Sequence, residues 1–319
     1  MAPLKVFAFD YTAAGGPRSL RRQSAMLLQA LQADLRAVPG IELTAMTSAQ
    51  DAAGARPAFS ERFAAGVEAA DAVWPLAIES EGLLERWSRE ILGANRILLG
   101  SAPGAVQVAA SKLKVARTLA DGGVRAAATY SPHAALPDER GAWVVKPDGG
   151  AGCFDIRLFG DRAAALAWVR VTAAEGYVLQ PFVAGKLGSL SLLCCDGEAR
   201  VLSCNLERVA MRNNRFHFLG STVGGLEDHD GALERLARQV AAAIPSLWGY
   251  VGVDFVLTAE GPVVLDVNPR LTAAYAGLEA AIGHNPAALV IGLLKGPSAM
   301  PGPLQARRAV SVDLGDGAN

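Results

Sequence analysis

The stretch VGVDFVLTAEGPVVLDVNPR, in the last quarter of the 319-residue chain, carries two aspartates, an asparagine and an arginine on a strand–turn–strand pattern. With Ala259, Glu260 and Gly261 as a three-residue loop, Gly261 taking its left-handed position, Asp254 falls directly opposite Asp266. Asn268 then lies on the same face two residues further on. The other face, Val253, Phe255 and Leu257 against Val263, Leu265 and Val267, is wholly apolar and is predicted to be the buried side; a one-residue slip would bury the acids. Carboxylates about 5 Å apart repel by roughly 3 kcal/mol at an effective dielectric of about 20, so a positive charge is expected between them. Oxygen donors without histidine or cysteine suit a hard cation such as Mg²⁺ or Mn²⁺. A polar sheet face with solvated acids is the plain alternative.

Three upstream stretches carry chemistry that fits such a cation. WVVKPDGGAGCFDIRLF puts Lys146 at the end of an apolar strand, just before a loop with Gly149, Gly150 and Gly152. Glycines let backbone N–H groups approach phosphate oxygens, and a lysine adds a point charge. The same string also suits an ordinary hairpin, and no GK[ST] follows to make it a Walker loop. Lys112 opens SKLKVARTLA near the positive end of a helix, which is unfavourable unless an anion is close. VLQPFV ends a strand on Gln180, Pro181, Phe182 and Val183, a backbone edge between apolar side chains that suits a flat purine or simply leads into a loop.

The elements that position these residues follow from the patterning. Up to about residue 105, strands such as LKVFAFDY, IELTAM, DAVWPLA and RILLGS alternate with helices, the first of them opening at Pro17 with Leu20, Leu27, Leu31, Leu35 and Val38 on one side. That alternation predicts an α/β unit with a parallel sheet. The Gly-rich turn after the first strand lacks GxGxxG, which argues against a nicotinamide site, although crevices beyond strand ends are where such sheets hold ligands. From SAPGAVQVAASKLKVARTLADGGV, read as helical, the strands come in consecutive runs, which predicts α+β with antiparallel sheets and a further boundary near residue 180.

The totals set limits. With 30 basic and 31 acidic residues, and a net charge of −1, the chain has no nucleic-acid footprint. The opening MAPLKVFAFDY reads as a first strand rather than a signal peptide, and the longest apolar run, AALVIGLL, is too short for a membrane span. Cys153, Cys194, Cys195 and Cys204 show no metal-type spacing and are expected as reduced thiols of a cytoplasmic protein. His133, His217, His229 and His284 form no cluster and are read as structural.

A helix lysine, VVKP with a glycine loop, LQPFV, GVDFVL and LDVNPR, in this order over residues 106–295, resemble the ATP-grasp superfamily. The resemblance implies an ATP-grasp fold with an N-terminal Rossmann-like pre-ATP-grasp domain (1–105), a small lobe (106–180) and a large lobe (181–319). It implies that ATP, held between the lobes, activates a carboxylate as an acyl phosphate for attack by an amine. Lys112 and Lys146 would meet the phosphates under the glycine loop. Gln180 to Val183 would hold the adenine, with main-chain bonds near Pro181 and Phe182. Asp254, Asp266 and Asn268 would hold two Mg²⁺ (or Mn²⁺) ions, and Arg270 would stabilise the transferred phosphoryl group or the acyl phosphate. Many members carry an acid a few residues past the adenine segment for the ribose hydroxyls; this chain has AGKLGS there, so the ribose contacts stay unassigned. Asp266 stands where glutamate is commoner.

Within the superfamily, DVNPRLTAAYAGL and FDYTAAGG look like the tyramine–L-glutamate ligases of methanofuran biosynthesis, with Ala273 and Ala274 departing from an NPRLTTSY-type ending. That likeness implies L-glutamate and a tyramine-like amine as substrates. Asp10, Tyr11, Gly15, Gly16, Thr272 and Tyr275 are the candidates to face them. Another amino-acid or peptide ligase, an ATP-grasp kinase and a non-catalytic ATP-binding regulator are the rival readings. The amine and the oligomeric state, a homodimer included, are left open.

Overall fold

The computed structural model describes residues 2–11, 18–47, 59–79, 82–138, 140–172, 175–304 and 306–314. In the N-terminal part, β1 (Leu4–Asp10), α1 (Arg18–Ala37), β2 (Ile41–Thr47), α2 (Phe59–Ala69), β3 (Ala72–Leu76), α3 (Leu83–Gly93) and β4 (Ile97–Leu98) alternate as the patterning predicts. The strands form a parallel sheet in the order β2-β1-β3-β4. Successive residues of β1 point to opposite sides. Val6 and Ala8 pack with Leu27, Leu31 and Leu35 of α1, whereas Phe7 and Phe9 pack with Phe63 and Trp87. Both faces are covered, which is why the strand reads as a continuous apolar run.

The stretch read as one helix after residue 101 is two, α4 (Pro103–Ala109) and α5 (Lys112–Asp121). Ser111 breaks it: its backbone is extended and its hydroxyl accepts from Lys114 N–H, an N-cap that restarts the helix one residue before Lys112. There follow β5 (Trp143–Pro147), β6 (Arg157–Phe159), α6 (Arg162–Thr172), β7 (Tyr177–Pro181), β8 (Lys186–Cys195), β9 (Glu198–Arg212), β10 (Arg215–Val223), α7 (Ala232–Ala243), β11 (Gly249–Thr258), β12 (Gly261–Asn268), α8 (Tyr275–Ile282), α9 (Pro286–Gly292) and β13 (Val310–Asp313). Their strands make one sheet in the order β12-β11-β8-β9-β10-β6-β5-β7, with β13 beside β10. The β5–β7 portion joins the rest through a single bridged pair, Arg157 with Arg215. One face of β8 and β11 packs on α5 and α7 through Leu190, Leu192, Val253, Phe255, Leu236 and Val240. The N-terminal sheet is fastened to this half by a shared core in which Leu31 and Leu35 meet Leu278, Ile282 and Val290.

The β11–β12 hairpin sets Asp254 opposite Asp266 as predicted, but by a different turn. Thr258 pairs with Gly261, leaving the two-residue turn Ala259–Glu260, and the register shifts between Asp254 and Phe255, so that Leu265 is the extra residue of a bulge. The bulge exchanges sides on β12. Val264, not Val263 or Leu265, packs beneath Phe255; Val263 lies opposite Val256, and Leu265 joins the acids at the cavity. Among the described residues, no single helix is long and apolar enough to cross a membrane.

Gly188 marks where β8 leaves no room for a side chain. An added Cβ would lie 2.7 Å from both Phe255 Cζ and Leu226 Cδ1, and 3.1 Å from Asn205 O. Gly188→Ala is therefore expected to destabilise the protein by about 1–3 kcal/mol through overpacking, read as a lowered urea midpoint; an unchanged midpoint would refute this account of the β8–β11 core.

Candidate active site

A cavity of about 280 Å³ lies between β5, β7 and the glycine loop on one side and the uncovered face of β8–β12 on the other. One half of it is apolar, with Val144, Val183, Leu187, Val256 and Leu265 among its walls. The other half gathers Lys112, Lys146 and Arg270 around Asp254 and Asp266. Each cation arrives by its own route: Lys112 on the first turn of α5, Lys146 from β5, and Arg270 from the bend after β12.

The positive charge demanded by the opposed acids is present. Lys112 Nζ lies 3.3 Å from Asp266 Oδ2, and it also donates to the carbonyls of Asp148 (3.4 Å) and Gly150 (3.3 Å) at the root of the glycine loop. Asp148 returns the contact by capping α5: its carboxylate accepts from Leu113 N–H at 2.9 Å and its carbonyl from Lys112 N–H at 3.0 Å. Lys146 is buried, and no described carboxylate forms an ion pair with it. Burial, and next the charge of Lys112, lower its pKa to about 8, while Asp266 and Asp254 oppose the shift. Such an ammonium gains most from an anion brought into the cavity.

Arg270 ties the site to the N-terminal sheet. Its Nε donates to Glu79 Oε2 at 2.8 Å, just beyond β3, and one Nη donates to Asn268 Oδ1 at 2.9 Å. Asn268 Nδ2 in turn donates to Asp254 Oδ2 at 3.0 Å. This chain fixes the guanidinium, the amide and the acid in series. Beneath the acids the sheet face is polar: Asn205 Nδ2 donates to Ser189 and Ser191, Ser191 bonds the Tyr250 hydroxyl at 3.0 Å, and Tyr250 bonds Thr272 at 2.8 Å. Ser189 and Ser221 both donate to Glu207, which also lines the cavity.

The loop from Gly149 to Asp155 has the backbone expected of an anion-binding turn. Gly150 (φ 123°) and Gly152 (φ 68°) take positive φ, and so do Cys153 (58°) and Asp155 (50°), which are not glycines. Asp155 is held there by Arg157 at 2.8 Å and by the Tyr177 hydroxyl at 2.6 Å. The Cys153 thiol is pushed up to about 12 by burial and then by Asp254, so it stays protonated.

The cavity brings together Lys112, Lys146, Gly149, Gly150, Gly152, Gln180, Pro181, Phe182, Val183, Asp254, Asp266, Asn268, Arg270 and Thr272. Phe182 N–H donates to Ala142 O at 2.8 Å and Pro181 has no N–H, which leaves the carbonyls of these two residues for main-chain bonds to a base. Gln180 Nε2 donates to Thr129 at 2.7 Å. The substrate candidates divide. Tyr11 packs against Phe59 and Trp87, Asp10 accepts from Ser24 of α1, and Tyr275 is buried against Tyr250, so none of these three lines the cavity. Gly15 and Gly16 lie outside the described residues. The sequence reading missed Glu79 and Glu207. For Glu207 a signal exists: Ser203, Asn205 and Glu207 alternate with apolar residues, as do Ser189 and Ser191 on the paired strand.

Asp254, Asp266 and the carbonyl of Asn268 are hard oxygen donors on adjacent strands, and a lysine ammonium already stands against one of them. This donor set fits a divalent cation such as Mg²⁺ with most of its shell left to water or phosphate. Among the described residues no three His, Cys, Asp or Glu side chains converge as a complete cage.

Comparison with known proteins matches this geometry to a family. A model described as an ATP-grasp domain matches residues 109–274, and one described as a pre ATP-grasp 3 domain matches residues 41–106. A tyramine–L-glutamate ligase of Methanocaldococcus jannaschii is 29% identical over 105 residues, 33% of this chain; the aligned segment spans only 32% of that relative's length. Among solved structures, an ATP-grasp superfamily protein from Archaeoglobus fulgidus superposes with a TM-score of 0.74 at 22% identity, covering 97% of this chain and 92% of that one. An L-amino acid ligase from Bacillus licheniformis gives 0.71 at 18% identity, covering 98% and 80%.

The opposed acids leave a thermodynamic signature. Burial, and then the charges of Glu207 and Asp266, raise the Asp254 carboxyl from 3.8 to about 7, against the Asn268 hydrogen bond and Arg270. Between those values the folded protein keeps a proton that the unfolded chain has lost. The stability this lends is complete below 3.8 and is lost as pH rises through about 7. Without divalent ions, Asp254→Asn should therefore be more stable than the parent at pH 8, with a gap that closes towards pH 4 in urea titrations; a gap that does not vary with pH would count against the shift.

Proposed function

The chain belongs to the ATP-grasp family, and from that premise we propose that it is an ATP-dependent carboxylate–amine ligase. In this reading it forms a γ-glutamyl amide from L-glutamate and tyramine, releasing ADP and phosphate in the cytoplasm. The observation that carries the proposal is the meeting of Lys112, Lys146 and Arg270 with Asp254, Asp266 and Asn268 in one cavity whose other half is apolar. The partial identity with the M. jannaschii ligase supports glutamate and tyramine as the substrates.

A carboxylate is a poor acyl donor and must be activated first. In the proposed reaction the small lobe (106–180) and the large lobe (181–319) hold ATP between them, the base on the apolar walls near Val183 and the phosphates on the two lysines. Divalent ions held by Asp254, Asp266 and Asn268 would neutralise the phosphate oxygens. Lys146, which no described carboxylate pairs with, meets the incoming negative charge, and Arg270, held by Glu79, stabilises the phosphoryl group as it passes to the substrate acid. Phosphoryl transfer is mostly positioning and electrostatics, which is what these fixed side chains supply. The glycine loop closes over the acyl phosphate and keeps water away until the amine displaces phosphate.

A second reading, an amino-acid or peptide ligase with another acceptor, is favoured by the structural likeness to the B. licheniformis L-amino acid ligase. The test is incubation with ATP, Mg²⁺, L-glutamate and a panel of amines, with free phosphate and product mass as readouts. A glutamyl-tyramine mass with equimolar phosphate is expected. A different amide would favour the second reading, a phosphorylated product would identify a kinase, and no turnover at all would sink both ligase readings. Lys146→Ala and Asp266→Ala are each expected to lower turnover by orders of magnitude while the circular dichroism spectrum stays that of the parent protein. Near-normal ADP release by either variant would overturn its assigned role.

A further inference from the structure

Glu207 has no part in the scheme above, yet a whole polar network is organised around it. Ser189 and Ser221 donate to its two oxygens, the Ser221 bond at 2.6 Å. Ser189 is held in that direction because Asn205 Nδ2 donates to its oxygen at 3.1 Å, and Asn205 is oriented by Ser203 at 2.8 Å. All four of these partners are buried. The bonds hold Glu207 as an acceptor facing the cavity, and no described cation forms an ion pair with it. Each of its oxygens already accepts one serine hydroxyl and keeps room for a further donor from the cavity side.

Its position along the sheet says which donor. Val256 pairs with Leu187, and Phe218 with Val209, in the apolar part of the cavity; Asp254 pairs with Ser189 in the charged part. Glu207 stands between the two, one step before Val209 on its face of β9 and bonded to Ser189. A nucleotide spans the same two halves, with its base on apolar walls and its phosphates among cations. Its sugar must lie at the boundary, and the sugar's hydroxyls are its hydrogen-bond donors there. Resting on the ATP-binding reading given above, we propose that Glu207 is the carboxylate that receives the ribose 2′- and 3′-hydroxyls of the bound nucleotide. A carboxylate is a common partner for a ribose hydroxyl. The residues just past Val183, Ala184-Gly185-Lys186-Leu187, offer no acid, and the neighbouring strand supplies one instead.

The test is calorimetric binding of ADP, 2′-deoxy-ADP and 3′-deoxy-ADP to the full chain, which requires no acceptor and no turnover. The parent protein should bind ADP at least about tenfold more tightly than one or both deoxy forms, as expected for a hydroxyl donating to an ionised group. Glu207→Ala should weaken ADP about tenfold and bind all three nucleotides within about twofold of one another. Glu207→Gln, close in shape and neutral, is the second variant should the first not fold, and it should lose most of the discrimination. Mn²⁺ affinity, read by electron paramagnetic resonance, should change less than ADP affinity in both variants. Discrimination that survives both substitutions, a parent protein that binds all three equally, or a loss confined to Mn²⁺ would overturn the assignment. No binding of any of the three would sink the nucleotide reading itself, and Glu207's role with it.

Discussion

Two carboxylates facing each other across a pair of β-strands cannot both stay ionised in a buried cleft unless positive charge is brought to them. Much of the molecule answers that constraint. Asp254 and Asp266 are fixed by the β11–β12 register, which the apolar contacts of Val253, Phe255, Val264 and Val267 hold from the other side of the sheet. The cations come from three separate segments, so the charges meet only when α5, β5 and the bend after β12 are all in place. Lys112 illustrates the dependence. At the start of a helix an ammonium opposes the dipole, but Asp266 and two loop carbonyls repay it, and Asp148 caps the same helix end.

The sheet that carries the acids has two unlike faces. Towards α5 and α7 it is a hydrophobic core, whereas the opposite face carries Ser189, Ser191, Ser203, Asn205, Ser221 and Tyr250, all buried and all hydrogen-bonded to one another or to Glu207, with Ser189 and Ser221 reaching the cavity. A buried polar surface of this kind is tolerable only when its members satisfy each other, and here they do. The network also stiffens the strands under the acids. It passes from Ser191 through Tyr250 to Thr272, so the bend that launches Arg270 is braced by hydroxyls of the same network.

The sequence showed these parts unevenly, for physical reasons. The parallel N-terminal sheet was legible because both of its faces are covered and its strands alternate with amphipathic helices. The opposition of Asp254 to Asp266 came out as expected only because the bulge adds back on β12 the residue that the shorter turn leaves out. The bulge at Leu265 was itself not legible, since an apolar residue is at home on either side of that strand, and only the pairing distinguishes Val264 from its neighbours. Tyr275 and Tyr11 looked like substrate contacts from their nearness to strand ends; tertiary packing turned both into aromatic neighbours elsewhere. Glu79 gave no local sign, because its partner Arg270 is 191 residues away. Glu207 did give one, in the polar period of two along β9, but the meaning of a polar face depends on what lies above it.

The Glu79–Arg270 pair also bears on which joints of the molecule can move. Its side chains are 6% and 10% exposed, and Glu79 Oε1 has no hydrogen-bond partner among the described residues. Separating a buried pair strands a charge on each side and costs several kcal/mol or more. The N-terminal sheet shares its core with α8 and α9 as well, so its seat on the rest of the molecule is doubly secured. The β5–β7 portion is held differently: one bridged pair joins its sheet to β10, and its own hydrophobic cluster, around Trp143, Val145 and Leu179, is separate from the other three. That portion carries Lys146 and the glycine loop, and besides the β6–β10 pair it is tied down where Asp148 and Gly150 meet the start of α5, whereas Arg270 and the acids belong to the frame beneath. The cations of the cavity are thus divided between two supports, Lys146 on the loosely joined portion and Arg270 on the part locked to the N-terminal sheet.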